Sequence, residues 1–172
     1  MSDMPLSEDK HPAGARKKAA RAGRLDVDHL DLQILRHLLT GGKSSFRQVA
    51  ASLGVSTTTV AGRVAKLEAG RVVKGYAALL DFESLGYEIT VVTEVFVSKG
   101  RLIEMERQIA RLPGVCAVYD VTGEIDGIVI AKFRDREELS HFTKGLLAMP
   151  FVERTNTHIV LTTVKEDFRL PI

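Results

Sequence analysis

The stretch Ser56-Thr57-Thr58-Thr59-Val60-Ala61-Gly62-Arg63-Val64-Ala65-Lys66-Leu67-Glu68 decides the N-terminal fold. Ser56 is a helix-capping residue type. Val60, Val64 and Leu67 repeat at i, i+4 and i+7, the period of one helical face. That stripe leaves Thr57, Thr58 and Thr59 in the first turn, with Gly62, Arg63 and Lys66 farther on. Small hydroxyl residues at a helix N-terminus approach groove edges closely, and the helix dipole there favours phosphate. Arg63 and Lys66 stand one turn apart, a spacing that suits phosphates or, in one case, a guanine edge. On these residues alone, a plain three-helix packing unit with a polar third helix is the alternative.

Upstream of it, Ser45 caps a short helix carrying Val49, Ala50 and Leu53, and Gly54-Val55 turns the chain into Ser56. Farther upstream, Leu32, Leu35 and Leu39 fall at i, i+3 and i+7, flanked by Ile34 and Leu38. Asp28 is placed to cap this first helix, Asp31 sits at the positive end of its dipole, and Gly41-Gly42 stops it. Three short helices, the last two joined by a tight glycine turn, predict a helix-turn-helix unit of winged-helix-like form over 25–75.

Downstream, the pattern switches from period 3.6 to period 2. Residues 72–80 are strand-like, and 81–86 make a polar break; together, 76–87 read as a linker strand and turn. Strands are predicted at 89–97, 115–121, 128–133 and 152–164, and helices at 101–112 and 136–148. The order β-α-β-β-α-β over 88–172 is ferredoxin-like, so the fold class is α+β. Val92 and Phe96 oppose Val91, Val95 and Val97, while Ile128 and Ile130 oppose Val129, Ala131 and Phe133. A sheet apolar on both faces needs a cover for the second one. The chain has no spare helix, so a homodimer is expected.

Charge is distributed unevenly. Net charge is +2 over 172 residues, yet residues 1–75 carry thirteen Lys/Arg against seven Asp/Glu, and the remainder is acidic. A basic module for a polyanion joined to a module with another task fits that asymmetry. Residues 1–24, with Pro5, Pro12, Gly14 and Gly23 and no apolar period, read as a disordered basic arm. No apolar run approaches the ~18 residues that span a bilayer, so no membrane partner is expected. One cysteine excludes an intramolecular disulfide and suits the cytoplasm. Cys116 reads as a small buried strand residue.

Motifs of catalysis are missing. The five histidines show no metal-ligand spacing, and there is no nucleophile elbow, Walker loop or dinucleotide fingerprint. The expectation is no enzyme, no cofactor and no metal. Glu124 and Asp126 lie two apart on the turn Thr122-Gly123-Glu124-Ile125-Asp126, which serves a hairpin as readily as acid–base work.

These residues carry a family resemblance. Val-Asp-His-Leu-Asp-Leu-Gln-Ile-Leu at 27–35 resembles the opening Leu-Asp-x-x-Asp-x-x-Ile-Leu of the Lrp/AsnC, or feast/famine, transcription regulators, with Val27 in place of Leu. Residues 43–56 resemble that family's second helix and turn. Ser56, Thr59, Val60, Arg63, Val64, Leu67 and Glu68 match its third-helix pattern, and Thr122-Gly123-x-x-Asp126 resembles its sensing turn. Two departures stand out. Gly70 comes one residue early, so that Arg71 occupies the usual glycine position and either the cap shifts or Arg71 accepts a left-handed turn. The turn also lacks the aromatic residue that often precedes the aspartate.

The resemblance implies a regulator that binds double-stranded DNA through paired recognition helices, as a homodimer or a larger assembly such as an octamer, modulated by an amino acid. It implies DNA contacts from Ser45, Ser56, Thr57, Thr58, Thr59, Arg63, Lys66 and Arg71. It implies an effector site from Thr122, Gly123, Glu124 and Asp126, with Arg154, Thr155 and Thr157 on the last strand nearby. A haem-pathway decarboxylase on the same scaffold and a non-DNA amino-acid sensor module are the alternatives.

Overall fold

A computed structural model describes residues 25–40, 44–98 and 100–172. The predicted basic arm and the Gly41-Gly42 stop lie outside these residues. The elements are α1 His29–Thr40, α2 Phe46–Leu53, α3 Thr57–Ala69, β1 Ile89–Val97, α4 Leu102–Ile109, β2 Val115–Asp120, β3 Gly127–Phe133, α5 Arg136–Leu147 and β4 Val152–Ile159. The described chain forms two units, a helical one of 25–80 with Glu166–Ile172 and a sheet unit of Asp81–Lys165. The last seven residues therefore group with the helices rather than with the sheet. Arg169 Nη1 donates to the Leu39 carbonyl at 3.4 Å, and Arg36 Nε donates to the Ile172 main-chain oxygen.

In the helical unit, capping chemistry sets the boundaries. Ser45 Oγ accepts from the Gln48 N–H, and the Gln48 side chain accepts from the Ser45 N–H, a reciprocal capping box. Ser56 Oγ accepts from the Thr59 N–H at 3.0 Å and begins α3. Ile34, Val49, Ala50, Val60 and Val64 form the core, with Leu30, Leu38, Leu53 and Val55 packed on it. On α1 the apolar stripe thus centres on Ile34, one residue from the predicted Leu32-Leu35-Leu39 line. The reason is Asp31, which is fully buried and must also face inward.

At the end of α3, Arg71 adopts φ +56°, the left-handed conformation that glycine usually supplies. The Arg71 N–H donates to Glu68 O and the Val72 N–H to Leu67 O, both at 2.9 Å, which is the paired bonding of a Schellman turn. Gly70 has ordinary dihedrals, but a Cβ there would lie 2.7 Å from Leu25 Cδ2. The glycine serves close packing, and Arg71 takes the strained position one residue later.

Residues 72–88 hold no strand, contrary to the strand-like reading. Val72, Tyr76, Leu79 and Leu80 are apolar in pattern but find no ladder partner among the described residues and stay exposed. Tyr76 is instead tied to α3 through its hydroxyl, which donates to Glu68 Oε1 at 2.8 Å.

The sheet has the order β2-β3-β1-β4, every neighbour antiparallel. Period-2 alternation sends Val91, Val95, Val97, Val129, Ala131 and Phe133 to the face covered by α4 and α5. There they meet Met105, Ile109, Phe142 and Leu146 in one apolar core. Val92, Phe96, Ile128 and Ile130 point to the other face and are half-buried. The last strand is shorter than predicted. It ends at Ile159, opposite Val91, because β1 offers little further ladder beyond that pair. Leu161 and Val164 are 95% exposed. Cys116 is exposed, not buried: the register shifts between Val115 and Ala117 and leaves it at a bulge on an edge strand.

A left-handed non-glycine residue costs roughly 1–2 kcal/mol. Arg71→Gly, its gain offset in part by the extra chain entropy of glycine, is therefore expected to raise the unfolding temperature of the helical unit by several degrees, and Gly70→Ala to lower it, in a thermal melt followed by circular dichroism.

Candidate functional site

The N-terminal turn of α3 presents Thr57 and Thr58 to solvent at the positive end of the helix dipole. Their neighbours are occupied. Ser56 Oγ and Thr59 Oγ1 lie 2.8 Å apart, and Ser56 also holds the Thr59 N–H. Ser45 is engaged in the same way with Gln48. Of the hydroxyl residues in the predicted interface, Ser45, Ser56 and Thr59 build helix ends. Beyond the first turn, Gly62 and Ala65 continue the exposed face with little or no side chain, so the helix backbone itself can come close to a partner.

Arg63 and Lys66 both reach from α3 toward the start of α1, with 33% and 43% of their side chains exposed. Asp31, with 0% of its side chain exposed, accepts from Arg63 Nη1 at 3.1 Å through Oδ1 and lies 3.5 Å from Lys66 Nζ through Oδ2. Arg63 also pairs with Asp28, and Lys66 Nζ donates to the Asp26 carbonyl at 3.1 Å. Asp28 and Asp31 cap each other across the start of α1, Asp31 N–H to Asp28 Oδ1 at 2.9 Å and Asp28 N–H to Asp31 Oδ2 at 3.2 Å. The Asp31 N–H and the Arg63 guanidinium together hold the Asp28 carboxyl below the usual carboxylate range. The same contacts, Asp28 first and Asp31 second, raise Arg63 above its ordinary value. A buried carboxylate needs such partners, and the nearest cations are those of α3. The signal was present: Arg63 falls at i+3 from Val60, on the flank of the buried stripe rather than opposite it.

In the sheet unit the turn 122–126 is held by its last residue. Asp126 Oδ2 accepts from the Val97 N–H at 2.8 Å, and the Asp126 N–H donates to Val95 O at 3.1 Å. The carboxylate thus belongs partly to the sheet, while Thr122, Gly123 and Glu124 stay exposed. The three last-strand residues do not gather beside this turn. Arg154 lies on the second face, its guanidinium 3.8 Å above the Phe96 ring. Thr155 and Thr157 lie on the helix-covered face, opposite Val95 and Thr93, and the Thr157 hydroxyl is 3.1 Å from that of Thr93. Adjacent strand residues point to opposite faces, so Arg154 and Thr155 cannot line one pocket of a single chain. A cavity that no sequence motif signals lies at the far end of β3.

Comparison with known proteins gives both units a counterpart. The AsnC-type helix-turn-helix domain matches residues 27–68, and the Lrp/AsnC ligand binding domain matches residues 90–170. An uncharacterized HTH-type transcriptional regulator of Pyrococcus horikoshii is 45% identical over 146 residues, covering 85% of this chain and 99% of the relative. A second HTH-type transcriptional regulator of that organism is 34% identical over 149 residues, covering 87% and 99%. Among solved structures, a transcriptional regulator of Neisseria meningitidis in complex with L-methionine has a TM-score of 0.78 at 28% identity, covering 85% of this chain and 97% of that one.

The depressed Asp28 carboxyl makes the helical unit acid-sensitive with a definite sign. Its contribution is complete above the unfolded carboxylate value and is lost as pH falls through the lower folded value. Urea midpoints taken from about pH 5 down to about pH 2.5 are expected to fall in the wild type. In Asp28→Asn they are expected to start lower and to fall less, with amide exchange in α1 and α3 as the local readout.

Proposed function

The chain belongs to the Lrp/AsnC family of transcriptional regulators, and from that premise we propose that it reads double-stranded DNA with the N-terminal turn of α3. The observation that carries this reading is the exposure of Thr57 and Thr58 on a helix whose opposite flank is locked by Asp31. Those two hydroxyls and the bare backbone at Gly62 enter the major groove. The helix N-terminus meets a phosphate. Arg63 acts mainly as a strut. Lys66, with 43% of its side chain exposed, and Arg71 supply phosphate contacts at the flanks.

Two copies pair through the second sheet face, with Val92, Phe96, Ile128 and Ile130 as the apolar centre. Half-buried apolar side chains in the middle of an open sheet are what such a partner covers. An amino acid binds at the turn 122–126. Asp126 is fixed by Val97 through one oxygen and takes the ligand's ammonium on the other. Thr122 and the amides around Gly123 and Glu124 take its carboxylate end, and Arg154 joins from the sheet face of a second copy. The L-methionine complex of the Neisseria meningitidis regulator supports that ligand class. Thr155 and Thr157 drop out, since they face the helices. We read the protein as a cytoplasmic regulator without an enzymatic reaction of its own.

Gel shifts on genomic fragments selected by footprinting test the DNA reading. Thr57→Ala and Thr58→Ala are each expected to cost about 1 kcal/mol or more in specific binding and to leave the salt slope unchanged, because neither removes a cation. Unchanged specificity in both variants contradicts the assignment. A shift absent at every salt concentration favours a non-DNA sensor instead. In the same assay an amino-acid panel should alter the wild-type shift, and Asp126→Ala should remove that response.

The pairing face has its own test. Val92→Asp or Phe96→Asp places an unpaired charge where the partner sits, at a cost of several kcal/mol. Light scattering is expected to give monomers. Native-size oligomers from both variants would place the interface elsewhere.

A further inference from the structure

Tyr87 before β1, the turn after α4, the C-terminal end of β3 and one flank of α5 line a cavity of about 360 Å³. That is the lower end of the roughly 300–1,000 Å³ typical of small-molecule sites. It is separate from the turn 122–126. β3 begins at Gly127 beside that turn and reaches the cavity at Phe133, about 20 Å away along the strand.

The floor is apolar and aromatic: Leu112 and Pro113 on one side, Phe133 and Phe142 on the other, the two rings 5.0 Å apart between centroids. Two glycines shape the walls. Gly114 has φ +77°, and a Cβ there would come 2.6 Å from Lys132 O and 2.9 Å from Phe133 Cε1, so only bare backbone lets this wall close on the ring. Gly145 lies inside α5, where glycine weakens a helix relative to alanine. A Cβ at 145 would meet nothing within 4 Å. Among the described residues, no packing asks for glycine there. What its missing side chain does is leave the cavity open.

The mouth is polar and partly cationic. The Arg134 guanidinium is held 4.5 Å above the Tyr87 ring. Its Nη1 is 3.7 Å from Glu138 Oε1, longer than a charge-assisted hydrogen bond, so its donors remain able to take an acceptor. Glu138 Oε2 already accepts the Arg134 main-chain N–H at 2.8 Å, which turns that carboxylate toward the start of α5. His141, one helical turn beyond Glu138, completes the rim.

We propose that this cavity binds a small aryl carboxylate, its ring on Phe133 and Phe142 and its carboxylate on Arg134 and His141. The site lies within one copy of the chain and is independent of the effector turn. A planar apolar body suits the aromatic floor, and an anionic head suits the guanidinium that Tyr87 holds at the opening.

The chain contains no tryptophan, so indole emission can be followed without a tryptophan background. Indole-3-acetate titrated with the full-length protein is expected to show a saturable rise in fluorescence anisotropy. Gly145→Leu, which fills the mouth while favouring helix, is expected to melt no lower than the wild type and to bind at least tenfold more weakly. Arg134→Gln, at a side chain 56% exposed, keeps the test decisive if the filled variant does not fold, and the same loss is expected. Indole-3-acetamide, which lacks the charge, is expected to bind at least tenfold more weakly to the wild type. Absence of saturation up to millimolar protein overturns the proposal. So does equal binding of acid and amide, or wild-type binding by folded Gly145→Leu.

Discussion

The helical unit depends on one buried carboxylate. Asp31 is fully enclosed, and an anion in that setting is tolerated only with opposite charges and hydrogen-bond donors around it. The partners come from the start of its own helix and from α3, which supplies Arg63 and Lys66. The consequence is geometric. α1 is rotated so that Asp31 and Ile34 both face inward, and α3 is held by its middle, leaving its N-terminal turn outward. Arg63, which looks like a DNA grip in the linear sequence, is bound to the Asp28 and Asp31 carboxylates, and the uncharged first turn is left exposed as the proposed reading edge.

The sheet unit obeys a different constraint, the alternation of strand side chains. One face is filled by α4 and α5 on Val91, Val95, Val129 and Phe133. The other keeps Val92, Phe96, Ile128 and Ile130 half-covered, with Arg154 stacked on Phe96 at its margin. The same alternation separates Arg154 from Thr155 and Thr157. The Asp126 carboxylate anchors the hairpin to β1, at the turn proposed to hold an amino acid.

Local signals were the legible ones. Ser45, Ser56 and Gly54 marked helix ends because capping is decided within four residues. The one-residue displacement of Gly70 left two outcomes, a shifted cap or a left-handed Arg71, and the chain takes the second. The element order β-α-β-β-α-β followed from the switch of period along the chain. What sequence could not supply was tertiary. The flank position of Arg63 is legible, but the identity of its buried partner, thirty-two positions away, is not. Residues 72–80 look like a strand because their residues suit one, but a strand needs a neighbour and none is present among the described residues. β4 was read too long because its apolar pattern outlasts the ladder that β1 offers. Cys116 was placed inside because a bulge, not composition, turned it out. The cavity beside Gly145 arises from four separated segments, so no single stretch encodes it.

A double-mutant cycle between Asp31 and Arg63, read by urea unfolding of the full chain, tests the account most directly. With Asp31→Asn already made, Arg63→Gln is expected to cost less than it does in the wild type, because the strut has lost its buried anchor and keeps only Asp28. Strict additivity of the two changes would contradict the account, and Arg63 would then have to be returned to the DNA-facing surface.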